Sequence, residues 1–403
     1  MTSPPERLPF VVILLLGVTQ IVGYGTLYYS FGILAPDMAR DLDVSVDLVF
    51  GLFSGALLVG GIIAPVIGEW MDRIGAARLM TIGSAFAAAT LVCMACSTSL
   101  VAYAASIILL EMASGMVLYQ AAFAALVEIR AQTAARSITY LTLIAGFAST
   151  LFWPVTSGLH QHLGWREIYF IYAALNIAIC LPLHVWIMRI RSGHRVSGHA
   201  IAAATNVPGA LPETGRRPAF IVVSLAFALE GFALSAMLVH MVPMLTGLGL
   251  GQNAVAVAAI FGPAQVLSRF INMIFGRNLQ PALLATLSAA FIALGVLLLA
   301  VAGARLPGAI GFALLLGLGS GINSIVQGSL PLWLFGSKGY GALTGRMASI
   351  RLVASALAPF LFSVGAEWAG TPAALIITAA LGGLAIAGFV WVIALAGAAR
   401  RSG

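Results

Sequence analysis

The chain has 403 residues, of which 61% are hydrophobic and only 8% are charged, and its mean hydropathy is +1.04. A soluble core does not need so much apolar surface, so the composition excludes a soluble domain and predicts a protein that crosses a membrane several times. The net charge of +7 and the pI of 9.7 would also suit a nucleic-acid-binding protein. The basic residues lie between apolar runs, however, so we expect a lipid bilayer and no nucleic acid as a partner.

Twelve apolar segments are each long enough to cross a bilayer, which takes about 20 residues. With short turns between them, they predict an all-α protein of twelve transmembrane helices, which we number helix 1 to helix 12 in chain order. The predicted spans are 10–35, 48–67, 79–98, 101–127, 137–160, 168–188, 218–246, 252–275, 280–303, 308–335, 340–366 and 373–397. The first run follows Arg7, as a signal peptide would, but it is too long and lacks a small-residue cleavage site, so we predict a retained first helix.

Basic residues favour one side of this topology. If the N-terminus is cytoplasmic, fourteen of the twenty Lys and Arg residues fall in cytoplasmic loops and tails, while only Arg40, Arg166 and Arg305 face outside. This bias predicts a protein of the plasma (inner) membrane with both termini in the cytoplasm. The fourteen are Arg7, Arg73, Arg78, Arg130, Arg136, Arg189, Arg191, Arg195, Arg216, Arg217, Arg277, Lys338, Arg400 and Arg401.

Residues 189–217 form the one long polar segment, rich in Arg, His, Gly, Pro and Ala. The segment predicts a cytoplasmic linker between an N-terminal six-helix bundle, 1–188, and a C-terminal six-helix bundle, 218–403. The pair Ser114-Gly115 recurs 206 residues later in the chain, and helices 5 and 11 match at about the same offset. The shared offset predicts two related bundles.

Signals for catalysis are absent from the sequence. Cys93, Cys96 and Cys180 lie inside apolar spans, which predicts packing roles and no disulfide. The chain has no G-x-x-x-x-G-K-[ST] loop and no set of His, Asp or Glu residues at metal-ligand spacing. We therefore expect no enzyme activity, no ATP hydrolysis, no metal and no cofactor.

Charged residues inside the predicted spans are rare, and each is a functional candidate because a charge in a bilayer must pair or face water. At about 1.5 Å per residue, Glu111 and Glu230 lie about 16–18 Å from their helix ends, near the middle of a core about 30 Å thick. Arg269 lies about 10 Å and Arg351 about 16 Å from the cytoplasmic ends. Arg346 is close enough to the surface to snorkel.

Two interpretations of these charges stay open. Arg269 and Arg351 would suit an organic anion, because a guanidinium offers a carboxylate two parallel hydrogen bonds. Glu111 or Glu230 would then carry a proton for coupling, since burial favours the neutral acid. Alternatively, the arginines and glutamates form structural ion pairs.

Uncharged polar residues add substrate-binding candidates on helices 1, 4 and 10. Tyrosine hydroxyls beside guanidiniums would line a carboxylate pocket, whereas the alternative for each residue is an interhelical hydrogen bond or an interfacial aromatic. His240, near the outer end of helix 7, either titrates during transport or forms a helix-end hydrogen bond, which we favour. The candidates are Tyr24, Tyr28, Tyr119, Gln120, Asn323 and Gln327.

A short polar stretch separates the second and third spans. Its pattern, G-x-x-x-D-R-x-G-x-x-R, is carried by Gly68, Asp72, Arg73, Gly75 and Arg78. The glycines let the backbone reverse and the arginines stay in the aqueous interface. The pattern resembles the loop 2–3 signature of the major facilitator superfamily, although an ordinary positively charged loop is the alternative.

The resemblance implies the major facilitator fold, with two pseudo-symmetric six-helix bundles that work by alternating access and with helices 1, 4, 7 and 10 lining the cavity. It implies a gating role for the five motif residues, in which Asp72 caps helix 11. A carboxylate suits that position because a helix start has unpaired N–H groups and the positive end of the helix dipole. Trp70, Met71, Ala76 and Ala77 depart from the usual family residues.

Within the family, the stretch from Glu111 to Gly115 has a carboxylate where drug/proton antiporters have an arginine. The stretches 24–32 and 262–269, with cations in helices 8 and 11, are similar to the oxalate/formate antiporter and monocarboxylate-transporter-like group. Gln265 departs from that group, whose animal members have an aspartate there.

The sequence thus predicts a monomeric secondary active transporter of a small-molecule substrate, a small organic anion such as a carboxylate, with protons as the candidate coupling ion. The alternative is a proton-coupled exporter of a neutral or toxic, drug-like or metalloid-like compound, in which the arginines only pair with the glutamates. A sensor or channel built on the same helices is disfavoured, because the loop motif is intact and no signalling domain is present.

Overall fold

The computed structural model describes residues 10–195, 206–276, 279–303 and 305–402. Regular structure in these residues is helical, apart from one isolated antiparallel bridge between Pro208 and Gly336. The all-α class is therefore confirmed. The α-helices of this part of the chain are α1 Phe10–Tyr24, α2 Phe31–Asp41, α3 Val46–Ile74, α4 Ala76–Ala95, α5 Leu100–Val117, α6 Tyr119–Ala145, α7 Ala148–His160, α8 Trp165–Leu175, α9 Leu181–Arg195, α10 Glu213–Leu245, α11 Asn253–Ala259, α12 Phe261–Phe275, α13 Pro281–Ala302, α14 Leu306–Phe335, α15 Tyr340–Ala369 and α16 Thr371–Ser402.

Three of the joints between these helices are π-helical turns, at Gly25–Tyr29, Asn176–Cys180 and Thr246–Leu250. A π turn inserts one extra residue into a helix and is frequent at functional sites. The first turn joins α1 to α2 and holds Tyr28, one of the predicted binding residues.

Among the described residues, eleven helical stretches are long and apolar enough to cross a membrane. This bears out a multi-pass membrane protein, whereas the count of twelve stays a prediction. One stretch, Leu100–His160, has 61 residues and covers the two predicted spans 101–127 and 137–160. Because the backbone is non-helical at Leu118 and at Arg130, this stretch is more than one straight helix.

The predicted break at 128–136 contains Arg130, whose φ of −158° and ψ of 89° are non-helical, so two helices meet at a kink there. The chain also leaves the helix at Leu118, whose ψ is −165°, and this break was not predicted. After Arg130 the helix resumes in residues 131–136, which contain three alanines, and alanine is the strongest helix former. Leu118 gives no sequence signal, since it is neither Gly nor Pro.

Helices extend into both ends of the predicted linker 189–217. The helix α9 continues to Arg195, and α10 begins at Glu213 and not at 218. Pro218 lies inside α10 near its start, where the lost N–H removes a single early hydrogen bond. Residues 196–205 lie outside the described residues, as do Arg7, Arg277 and the side chains of Arg191, Arg195, Arg400 and Arg401.

Side-chain caps and a glycine define several helix ends. The Ser45 hydroxyl accepts the N–H of Leu48 at 3.2 Å, and the Ser99 hydroxyl accepts that of Ala102 at 3.3 Å. These caps satisfy N–H groups that a helix start leaves unpaired. Gly75 ends α3 with a φ of 97°, a conformation that other residues rarely adopt.

The described chain divides into two compact units. The first holds the described residues up to Val207 together with Ser337–Arg346, and the second holds Pro208–Gly336 and the residues from Met347 onward. In the first unit, α4 packs against α5, α8 and α9, and Tyr103, Trp165 and Tyr172 are fully buried. In the second, α13 packs against α14 and α16, and α12 packs against α14.

Candidate functional site

Asp72, near the end of α3, caps the first turn of α15. Its Oδ1 accepts the N–H of Gly341 at 2.9 Å, and its Oδ2 accepts the N–H of Ala342 at 2.7 Å. These are among the N–H groups that a helix start leaves without an intrahelical partner, and the helix dipole adds attraction for a carboxylate. Asp72 and Ser337–Arg346 belong to the same compact unit, so this cap joins two parts of that unit that are 269 residues apart in sequence.

Gly68 lies one helical turn before Asp72 and permits close approach of the same helix start. A Cβ atom at residue 68 would overlap the carbonyl oxygen of Gly341 and would lie 3.1 Å from the Cα of Gly345. Small residues allow helices in membranes to pack this closely. The pattern that suggested a loop thus forms a helix–helix contact with a cap at its end.

The charged residues of the motif lie at the surface. Arg73 is exposed and lies 3.6 Å from Glu69, and Glu69 also lies 3.5 Å from Arg346. Exposed ion pairs of this kind each contribute little to stability. Arg78 is exposed as well.

A second carboxylate cap was missed by the sequence interpretation. Glu128, in α6, accepts the N–H of Ala76 at 2.9 Å through Oε2, so it caps the start of α4. A cavity of about 170 Å³ in the first unit is lined by Asp72 and Glu128 together with Asn206 and Ser337. The sequence does contain a signal for this cap, because Glu128 is an acidic residue directly after the predicted span 101–127.

Aromatic rings from the π turn and four α-helices of the first unit form a cluster. The ring centroids of Tyr24 and Tyr119 are 4.8 Å apart, and those of Tyr28 and Tyr29 are 5.5 Å apart. We call these four tyrosines the tyrosine cluster. Its rim consists of Phe53, 5.7 Å from Tyr28, and Trp153, 6.1 Å from Tyr29.

Glu111 and Gln120 add polar atoms to the same unit. Glu111 is 8% exposed, its Oε1 is buried without a hydrogen-bond partner, and it interacts electrostatically with Tyr28. Gln120 has a buried Nε2 without a hydrogen-bond partner. Burying a polar atom that makes no hydrogen bond is costly, so such atoms are candidates for ligand contact.

In the second unit, Glu230 is 1% exposed and lies against Ser288 of α13. The Ser288 Oγ contacts Glu230 Oε1 and also lies 2.9 Å from the carbonyl oxygen of Gly319. A hydroxyl has one proton, so it can donate to only one of these two oxygens. If Ser288 donates to Gly319, the Glu230 carboxyl must be the neutral acid that donates to Ser288.

Arg351 belongs to the same group of charges. Its guanidinium interacts electrostatically with Glu230. Its stem packs on α10 at Gly231, where a Cβ atom would lie 2.9 Å from Arg351 Cγ and 2.7 Å from Ser355 Oγ. The close approach at Gly231 therefore positions the arginine.

Arg269 is 4% exposed and lies between α12 and α14. Its Nε donates to Ser324 Oγ at 3.1 Å, and one turn earlier Gln265 Nε2 donates to Ser320 Oγ at 2.8 Å. These two bonds link two successive turns of α12 to two successive turns of α14. Gly321 faces the contact, since a Cβ atom there would overlap Ser268 Oγ and the carbonyl oxygen of Gln265.

Asn323 and Gln327 bond to each other. Gln327 Nε2 donates to Asn323 Oδ1 at 2.8 Å, and Asn323 is buried.

His240 Nε2 lies 2.9 Å from the carbonyl oxygen of Pro359, which is the helix-end hydrogen bond that the sequence favoured.

The sequence-predicted residues therefore form separate groups. Tyr24, Tyr28 and Tyr119 come together through ring contacts in the first unit, and Glu230 and Arg351 come together in the second. Ser288, Ser320 and Ser324 were missed because serine in a membrane helix usually bonds its own backbone and carries no distinguishing pattern.

Comparisons with known proteins identify the family. Residues 16–359 match the sequence profile of the Major Facilitator Superfamily. No curated protein sequence matches the chain significantly.

Solved structures of this superfamily share the fold. The human organic anion transporter MFSD10 (TETRAN) aligns with a TM-score of 0.73 and 16% identity over 96% of this chain and 100% of that chain. The proton:xylose symporter XylE, bound to 6-bromo-6-deoxy-D-glucose, aligns with a TM-score of 0.70 and 14% identity over 95% of each chain. The E. coli fucose:proton symporter FucP aligns with a TM-score of 0.69 and 14% identity over 95% of this chain and 98% of that chain.

Proposed function

The chain belongs to the Major Facilitator Superfamily, and we propose that it is a secondary active transporter of a small organic anion, with carboxylates as the substrate class. It works by alternating access between two six-helix bundles, 1–188 and 218–403, which the linker 189–217 connects. The proposed setting is the plasma (inner) membrane, with both termini in the cytoplasm and a monomer as the working unit.

The observation that carries the proposal is the presence of two arginines within the membrane-spanning helices of one unit. Arg269 is 4% exposed, and Arg351 is half-buried. A guanidinium remains charged in any environment and presents a planar fork that matches a carboxylate. The bond from Arg269 Nε to Ser324 supports a fixed orientation of that fork. Asn323, Gln327 and the predicted tyrosines are the accompanying polar candidates.

Glu230 is the favoured coupling residue. If Glu230 is neutral, its Oε1 donates to Ser288 and Ser288 donates to the carbonyl oxygen of Gly319, while Oε2 has no hydrogen-bond partner. Loss of that proton would leave a carboxylate whose negative charge the Arg351 guanidinium attracts. The residue is therefore suited to two protonation states, and Glu111 is the second coupling candidate.

Gating is assigned to Gly68, Asp72, Arg73, Gly75 and Arg78. The two hydrogen bonds of Asp72 to the start of α15 favour one conformation and must break when α15 moves away from α3. An N-cap of this kind contributes about 1–2 kcal/mol, which is enough to bias the conformational equilibrium about five- to thirtyfold.

A second candidate function follows from the same charges. Because Arg351 interacts with Glu230, the pair also suits a structural role, as expected in a proton-coupled exporter of a neutral or toxic compound. The neighbouring structures are compatible with either substrate type, since they include an organic anion transporter and two proton symporters of sugars.

A thermal-shift screen of the purified protein tests the proposal. Small mono- and dicarboxylates are added at millimolar concentration to wild type, Arg269→Gln, Arg351→Gln and the exposed control Arg305→Gln. A bound ligand raises stability by RT ln(1 + [L]/Kd), so a weak site is visible at high concentration. Stabilisation of wild type and Arg305→Gln, with loss in the other two variants, supports anion transport. If no carboxylate stabilises wild type and a neutral compound stabilises every variant, anion transport is refuted and export of a neutral compound is supported.

A further inference from the structure

The described end of the predicted linker pairs with the connection between α14 and α15. In the second unit, the N–H of Ala210 donates to the carbonyl oxygen of Trp333 at 2.9 Å, and the N–H of Leu211 donates to that of Leu334 at 3.2 Å. Both oxygens belong to the last turn of α14, where carbonyl groups have no donor within the helix. Residues 206–211, which we call the strap, therefore cap the end of α14.

Gly209 lets the strap lie directly on the backbone of α14. A Cβ atom at Gly209 would overlap the carbonyl oxygen of Leu334 and would lie 2.6 Å from the carbonyl carbon of Phe335. These are backbone atoms, which cannot rotate away as a side chain can. Pro208 pairs with Gly336 in the isolated antiparallel bridge. The strap is therefore packed against the end of α14 and is not a loose tether.

In the first unit, the strap forms two reciprocal hydrogen bonds with Ser337. The N–H of Val207 donates to Ser337 Oγ at 3.0 Å, and the N–H of Ser337 donates to the carbonyl oxygen of Val207 at 3.0 Å. A backbone held by a bond in each direction has a defined position relative to its partner. The strap therefore fixes the position of Ser337, and α15 begins three residues later at Tyr340.

The Asp72 cap lies in the same part of the first unit. Asp72 accepts the N–H groups of Gly341 and Ala342, and Gly341 is only four residues after Ser337. The strap residue Asn206 and Ser337 line the cavity of about 170 Å³ that Asp72 and Gly341 also line. Two sets of hydrogen bonds, from the strap and from Asp72, thus hold one short segment of the chain.

We propose that the strap regulates the Asp72 gate: its bonds to Ser337 fix the segment that Asp72 caps, so release of the strap weakens the cap. The inference rests on the gating role assigned to Asp72 under the proposed function. Because coupling between two interactions is reciprocal, the cap also favours the attached strap. The linker is then an element that biases the conformational equilibrium, in addition to joining the bundles.

The test measures hydrogen exchange at the amides of Gly341 and Ala342 in the purified full-length protein, because exchange reports local opening. Ser337→Ala removes the acceptor of the Val207 N–H and should accelerate exchange at these amides by at least about twofold. Ser337→Thr keeps a hydroxyl and should exchange as wild type does. Ser329→Ala is the matched control, since that hydroxyl bonds the carbonyl oxygen of Ile325 in its own helix.

A second variant keeps the test decisive if Ser337→Ala does not fold. Gly209→Ala should displace the strap from α14 and carry Val207, two residues earlier, away from Ser337. Exchange at the capped amides should again rise by at least about twofold. Gly215→Ala is its control, because the atom nearest to the added Cβ is Leu395 Cδ2 at an ordinary distance of 3.6 Å.

A double-mutant comparison separates regulation of the cap from general destabilisation. In the Asp72→Ala background the cap is absent, so Ser337→Ala should add less acceleration than it does in wild type. The start of α5, where Ser99 caps Ala102, should keep its wild-type exchange in both strap variants. Equal acceleration with and without Asp72, or equal acceleration at Ala102, would show that the strap does not act through the cap and would overturn the proposal.

The outcomes are independent of the proposed substrate, because no ligand enters these measurements. If no carboxylate stabilises the protein and Ser337→Ala accelerates exchange only when Asp72 is present, anion transport fails and the coupling of strap to cap stands. If carboxylates bind in an Arg269-dependent manner and exchange at the capped amides is unchanged in both strap variants, the strap proposal is wrong and anion transport stands.

Discussion

Gly68 and Gly341 approach each other so closely that a Cβ atom on Gly341 would lie 2.7 Å from the carbonyl oxygen of Gly68. We expect Gly68→Ala to lower the free energy of unfolding by about 1–3 kcal/mol, since overpacking forces the backbones apart. Thermal unfolding in detergent measures the change. Gly55→Ala is the matched control in α3, because no heavy atom lies within 4 Å of its Cβ. Equal midpoints for the two variants would contradict a close contact at Gly68.

Asp72 controls the start of α15 through two backbone hydrogen bonds. Asp72→Ala removes a cap worth about 1–2 kcal/mol, so the amides of Gly341 and Ala342 should exchange hydrogen about five to thirty times faster. Hydrogen-exchange mass spectrometry of the peptide that covers these residues measures the change. Asp43→Asn, at an exposed residue of the α2–α3 turn, should leave that peptide unaffected. Unchanged protection in Asp72→Ala would show that α15 starts without the cap.

The importance of Asp72 could be predicted because a charged cluster between apolar runs stands out, and because its spacing resembles a family signature. The helical class was predictable for a related reason: every backbone polar group must be satisfied inside a bilayer, so long apolar runs become helices. These signals depend on composition and spacing alone.

The partners of the buried charges could not be predicted in the same way. Ser288 lies on a span without charged residues, and a serine in a membrane helix is satisfied by its own backbone unless another helix places a carboxyl beside it. Likewise, the break at Leu118 has no Gly or Pro signal. Such features arise from packing between distant segments, which a single sequence does not record.

The α12–α14 pair provides a third prediction. Gly321→Ala should destabilise the protein by several kcal/mol, because the added methyl group would overlap Ser268 Oγ and the backbone oxygen of Gln265, and backbone cannot rotate away. Gly311→Ala in the same helix should cost less, since its methyl group would meet only the flexible end of Leu298. Thermal midpoints of the purified variants provide the comparison. The close packing of α12 on α14 is refuted if Gly311→Ala is the more damaging change.

Gly321→Ala should also weaken ligand binding at Arg269. Displacement of α12 separates Gln265 from Ser320 and Arg269 from Ser324, so the guanidinium loses its fixed orientation. A carboxylate that stabilises wild type should therefore stabilise Gly321→Ala less at the same concentration. Retained binding would place the anion site away from Arg269.

The contact between Ser288 and Glu230 gives the last prediction, which a double-mutant cycle tests. Ser288→Ala removes the partner of Glu230 Oε1, and its Oε2 already lacks a hydrogen-bond partner, so the single change should cost about 1–3 kcal/mol. In the Glu230→Gln background, the same change should cost less, because the Gln amide makes a weaker bond. Thermal midpoints of the four proteins give the coupling energy. Thr286→Ala, whose hydroxyl bonds the carbonyl oxygen of Ala282 in the same helix, should show no coupling to Glu230. A coupling energy near zero for Ser288 as well would mean that the serine hydroxyl bonds only to backbone and not to Glu230. The hydrogen-bond chain that makes Glu230 the favoured coupling residue would then be absent.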